Sequence, residues 1–168
     1  KLQDDIDKQY IEYMKRDFDL KYLNHQTMLP WLIERDSIIE KEMSEGNLLN
    51  FFSLAIINHP LSNEILPLDC NNSFRSDFVN FLKVNYEKNY SISVELRLNK
   101  NIYLDNEVLT KKFNLETCET EKVVLKWKER ADSPIFTIFE SDDANLIVFD
   151  ILYEIYINSY KLFCMKKK

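Results

Sequence analysis

Through the first 45 residues, apolar side chains return at spacings of three and four. Leu2, Ile6, Tyr10, Tyr13 or Met14, Phe18, Leu20, Leu23, Met28, Trp31, Leu32, Ile38, Ile39 and Met43 carry the pattern. That period predicts a single long helix, and Gly46 sits where a helix stop belongs. Pro30 either breaks this helix or is absorbed as a kink. Trp31-Leu32-Ile33 resumes the stripe at once, which favours one helix. At ~1.5 Å per residue it is roughly 65 Å long, whereas a compact domain of this chain length is about 40 Å across. The helix therefore overhangs its own domain, and an overhanging apolar stripe needs a cover. The simplest cover is a second copy. The pattern predicts a homodimer with Ile6, Tyr10, Tyr13, Leu20, Met28 and Trp31 in the dimerisation seam.

Beyond Gly46 the period changes. Residues 47–58 predict a short buried helix ended by His59-Pro60, and a loop rich in Asn and Ser follows around residues 67–75. Tyr90, Ile92, Val94, Leu96 and Leu98 then alternate with Ser91, Ser93, Glu95 and Arg97, the period of a half-buried strand. Val79, Phe81 and Val84 predict a strand before it, Phe113 and Leu115 a third after it, and Val123, Leu125 and Trp127 a fourth. Asn99, Asn101, Asp105 and Asn106 supply turn residues between the second and third, with Tyr103 and Leu104 anchoring that connection. A four-stranded antiparallel sheet with one apolar face needs covering helices. Ile147, Ile151 and Ile155, with Leu152, Leu162 and Phe163, predict them at the C-terminal end. The expected fold class is α+β: a dimerisation helix over 1–46, then an α+β domain over 47–168.

Charge adds a partner class. The chain carries a net −6. Residues 114–154 hold 10 acidic and 4 basic side chains, and residues 1–46 hold 11 acidic and 7 basic. The last eight residues reverse the sign with Lys161, Lys166, Lys167 and Lys168. An acidic surface favours basic partners and disfavours direct nucleic-acid binding. Cys70, Cys118 and Cys164 are far apart and odd in number, with no metal spacing, which predicts a reducing compartment. No apolar run reaches ~18 residues, so no membrane span is expected, and no signal peptide is visible.

Catalytic chemistry finds little to work with. His25 and His59 are not spaced as a metal pair. His25 is expected on the surface or in the dimer face, and His59 as a hydrogen-bonding residue at a helix end. One glycine cannot build a phosphate-cradling loop, and no nucleophile elbow exists. No enzyme and no cofactor are expected.

Four co-linear stretches carry a family resemblance. Pro30-Trp31-Leu32-Ile33-Glu34-Arg35-Asp36-Ser37-Ile38-Ile39 lies near the end of the long helix, and Phe51-Phe52 is followed by Asn58-His59-Pro60-Leu61-Ser62. Asn101-Ile102-Tyr103-Leu104-Asp105-Asn106-Glu107-Val108-Leu109-Thr110-Lys111-Lys112-Phe113 is the most specific. Leu125-Lys126-Trp127-Lys128 and Ile135-Phe136-Thr137-Ile138-Phe139 complete the set. Together they resemble the nucleosome assembly protein and SET family of histone chaperones. The chain departs from that pattern at Ile102, where the family has proline. It also has a short Glu129–Pro134 connection where relatives carry a longer basic insertion, and the sequence ends at Met165-Lys166-Lys167-Lys168 before any long acidic tail, as expected of a minimal member or of a chain trimmed ahead of that tail.

The resemblance implies a headphone-shaped homodimer whose concave acidic underside shields core histones, working in the nucleus and cytoplasm. Candidate histone-binding residues are Glu116, Glu119 and Glu121 after the third strand, Glu140, Asp142 and Asp143 before the last helix, and Asp150 and Glu154 on it. The rival reading is a dimeric adaptor that docks a histone-modifying enzyme or a transport factor.

Overall fold

A computed structural model describes residues 1–165; Lys166, Lys167 and Lys168, most of the C-terminal basic run, lie outside the described residues. Helix α1 spans Leu2–Ser44 without a break at Pro30. It ends as the glycine position predicts. Gly46 takes φ +80°, its N–H bonds Met43 O at 3.1 Å, and Asn47 N–H bonds Glu42 O at 2.9 Å. This pair of bonds is the Schellman arrangement that only a left-handed residue closes without strain. Helix α2 follows at Phe51–Ile57, then a 3-10 turn at Ser62–Glu64. Three strands come next: β1 at Val79–Glu87, β2 at Ser91–Leu98 and β3 at Val108–Asn114. Helices α3 (Pro134–Glu140), α4 (Leu146–Ile157) and α5 (Ser159–Phe163) close the described chain. The class is α+β with a long N-terminal helix.

The sheet is antiparallel in the order β1-β2-β3 and has three strands, not four. Its inner face stacks Val84 on Val94, Ile92 on Phe113, and Leu96 on Leu109. Helices cover that face with Phe52, Phe136, Phe139, Phe149, Ile151 and Ile155, all buried. The residue 99–107 connection joins β2 to β3, with Tyr103 and Leu104 buried against the core as anchors.

The expected fourth strand, around Val123 to Trp127, is a correction with a clear cause. Its backbone is claimed by the 103–106 connection and not by a ladder. Asn106 Oδ1 accepts from Lys126 N–H at 2.8 Å, Asn106 Nδ2 donates to Val124 O at 3.2 Å, and Asp105 N–H bonds Lys126 O at 2.9 Å. Only isolated bridges remain, Leu104 to Trp127 and Phe113 to Thr120. The alternation itself was a true signal, since Leu125 is buried and Val124 exposed. A second correction concerns Ile147. It is 75% exposed, because α4 turns Val148, Ile151, Leu152 and Ile155 inward instead.

Helix α1 belongs to this core on one side only. Phe18, Tyr22, His25, Leu32, Asp36, Ile39 and Met43 face the domain. Arg35 and Asp36 clasp the C-terminal end of α4. Arg35 Nη1 donates to Tyr156 O at 2.8 Å and Ile157 O at 3.3 Å, and the Tyr156 hydroxyl donates to Asp36 Oδ2 at 2.6 Å. A guanidinium suits the partial negative charge of a helix end.

Candidate functional site: acidic turns beside the long helix

The eight candidate carboxylates fall in three neighbourhoods. The first is the turn after β3. Asn114 Oδ1 accepts from the N–H groups of Glu116 and Thr117, both at 2.9 Å, and Asn114 N–H bonds Glu119 O at 2.9 Å. The turn so built presents Glu119 and Glu121 to solvent. Glu116 reaches across to α1 and accepts from Lys15 Nζ at 2.7 Å.

The second neighbourhood is the turn between α3 and α4. Asp142 and Asp143 are exposed, and Asp143 N–H bonds the Ser141 hydroxyl at 3.0 Å. Asn145 caps α4, its Oδ1 accepting from Val148 N–H at 3.2 Å. Glu140 is committed within the protein. Its carboxylate accepts from Trp127 Nε1 at 2.8 Å and from Arg130 Nη2 at 3.2 Å, and Arg130 lies over the Trp127 ring.

The third lies on α4. Asp150 sits near Lys21 and Asp17 of α1; burial holds its carboxyl above the usual carboxylate range, Lys21 opposes that shift and Asp17 adds to it. Glu154 lies one turn on, 3.6 Å from the buried Nε2 of His59.

Beneath the second neighbourhood is a residue that the sequence reading did not single out for a role. Lys111 is 5% exposed. Its ammonium donates to Ile138 O in the last turn of α3, at 2.8 Å, and to Ser141 O just past the helix end. Burial pushes its pKa down, and Asp142 and Asp143 pull it back up. The signal was in the period. Lys111 shares a phase with Leu109 and Phe113, the inward positions of β3. A lysine there must find oxygen partners inside.

His25 is a further correction. It is 1% exposed and not a surface residue. Its Nε2 lies 3.1 Å from Asn85 Oδ1 and its Nδ1 3.0 Å from the Tyr153 hydroxyl. Asn85 Oδ1 only accepts, so Nε2 carries the proton and Nδ1 receives the Tyr153 O–H. His59 is at a helix end as expected, its Nδ1 accepting from Leu61 N–H at 3.2 Å. Among the seam candidates, Ile6, Tyr10, Tyr13, Leu20 and Trp31 are exposed, while Met28 packs partly against the core of its own chain. Among the described residues no group of three or more His, Cys, Asp or Glu is arranged to hold a metal, and no helix is long and apolar enough to cross a membrane.

A long helix clasped to one edge of an α+β domain, with the His59-Pro60 turn after α2 and the 99–107 connection leading into β3, defines a fold class: that of the nucleosome assembly proteins. Superposition bears this out. The chain matches Ccp1 with a TM-score of 0.63 at 14% identity, covering 98% of this chain and 97% of that one. It matches nucleosome assembly protein S of Plasmodium falciparum with a TM-score of 0.54 at 23% identity, covering 96% and 95%. A malaria parasite nucleosome assembly protein matches with a TM-score of 0.53 at 16% identity, covering 96% and 89%. No family model matches the sequence. In sequence the chain is 34% identical over 167 residues to an uncharacterized protein of Encephalitozoon cuniculi, covering 99% of this chain and 91% of that protein, and it belongs to the same family.

Proposed function

We propose that this protein is a histone chaperone that binds core histones as a homodimer and assists nucleosome assembly, in the nucleus and cytoplasm. Residues 1–46 serve as the dimerisation helix and residues 47–168 as the histone-binding domain. The fold supports the class, and the carrying observation is the set of uncommitted carboxylates. Glu119, Glu121, Asp142 and Asp143 are exposed and form no ion pair among the described residues, whereas Glu116, Glu140 and Glu154 face groups of their own chain. Free histones are strongly basic and aggregate on DNA. A chaperone has to compete with phosphate and still release its cargo. Many weak, screened contacts do this better than a few buried ones. Exposed pairs each contribute about 0–1 kcal/mol, so several must act together. No cofactor or covalent step is needed.

The test is histone affinity measured across a salt series. Replacing Glu119, Glu121, Asp142 and Asp143 by their amides should weaken binding by roughly tenfold or more at low salt and flatten the salt dependence. Replacing Asp4, Asp5 and Asp7, at the outer end of α1, serves as the control. Equal loss per charge removed in the control would mean that bulk charge and not a located surface does the binding. No loss in either would end the proposal.

A further inference from the structure

One place on the molecule runs against its overall charge. Between α1 and the outer face of the sheet lies a groove of about 510 Å³. Tyr22, Leu29 and Ile33 of α1 form one wall, and Ile33 is 56% exposed. The other wall is basic: Lys83 on β1, Lys88 in the β1–β2 turn and Lys112 on β3. Lys112 is paired with Glu87 at 2.6 Å. Lys83 and Lys88 form no ion pair among the described residues. Three ammonium groups thus face one carboxylate in a chain whose net charge is −6.

We infer that this groove docks an acidic segment of another protein, one in which Asp and Glu flank an aliphatic or aromatic residue. The apolar anchor lies on Leu29 and Ile33, and the carboxylates reach Lys83 and Lys88. Exposed ion pairs are individually weak, so the apolar wall has to supply the rest of the affinity and the register. An extended polyanion such as a nucleic acid fits less well, because its charge continues past the groove onto acidic surface. The groove also stays open in a dimer built on the exposed stripe. Leu29 lies nine residues past Leu20, which at about 100° per residue is the opposite side of the helix. The inference is independent of the histone reading, since the two partners carry opposite charge.

Fluorescence anisotropy of the full chain with a labelled Glu- and Asp-rich decapeptide carrying a central Leu-Phe pair tests it. Binding in the micromolar range is expected. Lys83→Glu with Lys88→Glu, and separately Ile33→Ser, should each weaken it by about tenfold, while Lys122→Glu with Lys126→Glu should change it by less than about twofold. Lys83→Gln with Lys88→Gln repeats the measurement with a milder change should the charge reversal disturb folding. The same peptide without its Leu-Phe pair should bind more weakly. No binding at about 100 µM, equal loss in the control pair, or complete competition by a single-stranded oligonucleotide of equal charge would overturn the inference. So would a change of assembly mass in the groove variants, which would make the groove an interface between copies. Histone affinity measured on the same variants stands apart and reports only on the chaperone reading.

Discussion

His25 shows what a single side chain does for both the fold and its pH response. Its ring links three elements, α1, β1 through Asn85 and α4 through Tyr153, with both nitrogens satisfied while the ring is neutral. Burial lowers its pKa, and Lys83 lowers it further, against the hydrogen bond to Asn85. The folded state therefore takes up a proton less readily than the unfolded chain. Its contribution to stability is complete above the unfolded value of about 6.5 and is lost as pH falls below it. Asp150 works the other way. Its raised pKa adds stability as pH falls toward the carboxylate range. Thermal melts between pH 7.5 and 5.5 should show a falling midpoint in the unmutated protein. His25→Leu should cost about 1–3 kcal/mol at pH 7.5, since Asn85 and Tyr153 lose their partner, and its melting point should depend less on pH. A parallel pH slope in both proteins would assign the effect elsewhere.

Among the elements, β2 was legible from the alternation of Ile92, Val94 and Leu96, whereas β1 breaks its alternation at the adjacent buried Phe81 and Leu82, beside the register shift between Val79 and Phe81, and β3 starts at Val108, five residues before the expected Phe113. The long helix was legible from its period, and its continuity through Pro30 from the stripe resuming at once. The fourth strand misled because alternation reports which side chains turn inward and not what the backbone bonds to. Side-chain amides such as Asn106 compete for the same N–H and C=O groups, and sequence patterning does not register that competition. Of the acidic positions, the sequence located the charge but not its commitments. Nothing in the spacing pairs Glu140 with Trp127 and Arg130, or Glu154 with His59. Lys111 ties β3 to the end of α3 and so holds the turn that carries Asp142 and Asp143. Lys111→Met keeps most of the side chain's volume and removes the tie. Hydrogen exchange at residues 141–145 should speed up, while global stability should fall by less than about 2 kcal/mol, because the cost of burying the charge disappears as well. The variant is more acidic by one charge. Charge counting alone then predicts tighter histone binding, whereas a positioned turn predicts weaker binding. Unchanged exchange would show that the turn holds itself.

For the whole molecule the decisive feature is that α1 has two apolar sides. One side, through Phe18, Tyr22, His25, Leu32 and Ile39, is buried in the chain's own domain. The other carries Leu2, Ile6, Tyr13, Leu20, Trp31 and Ile38, all exposed, with Leu20 at 68%. Tyr13 and Trp31, and likewise Leu20 and Ile38, are eighteen residues apart, five full turns at 3.6 residues per turn. This second stripe is therefore straight and runs the length of a helix about 65 Å long. A seam that straight and long matches a second copy running antiparallel better than a small ligand. Met28, also expected in the seam, packs partly against the chain's own core. Each large apolar side chain buried contributes about 1.5–3 kcal/mol, so even three or four per chain exceed the lower estimates of association cost. Sedimentation at micromolar concentration should give a dimer for the unmutated protein. Tyr13→Glu with Leu20→Glu should give a monomer that keeps its helical and sheet signal, because neither side chain touches the core of its own domain. Ile11→Glu, off the line of the stripe, should leave the mass unchanged. A monomeric mass for the unmutated chain would leave the stripe without its second copy and would remove the two-ended shape on which a concave histone-binding surface depends.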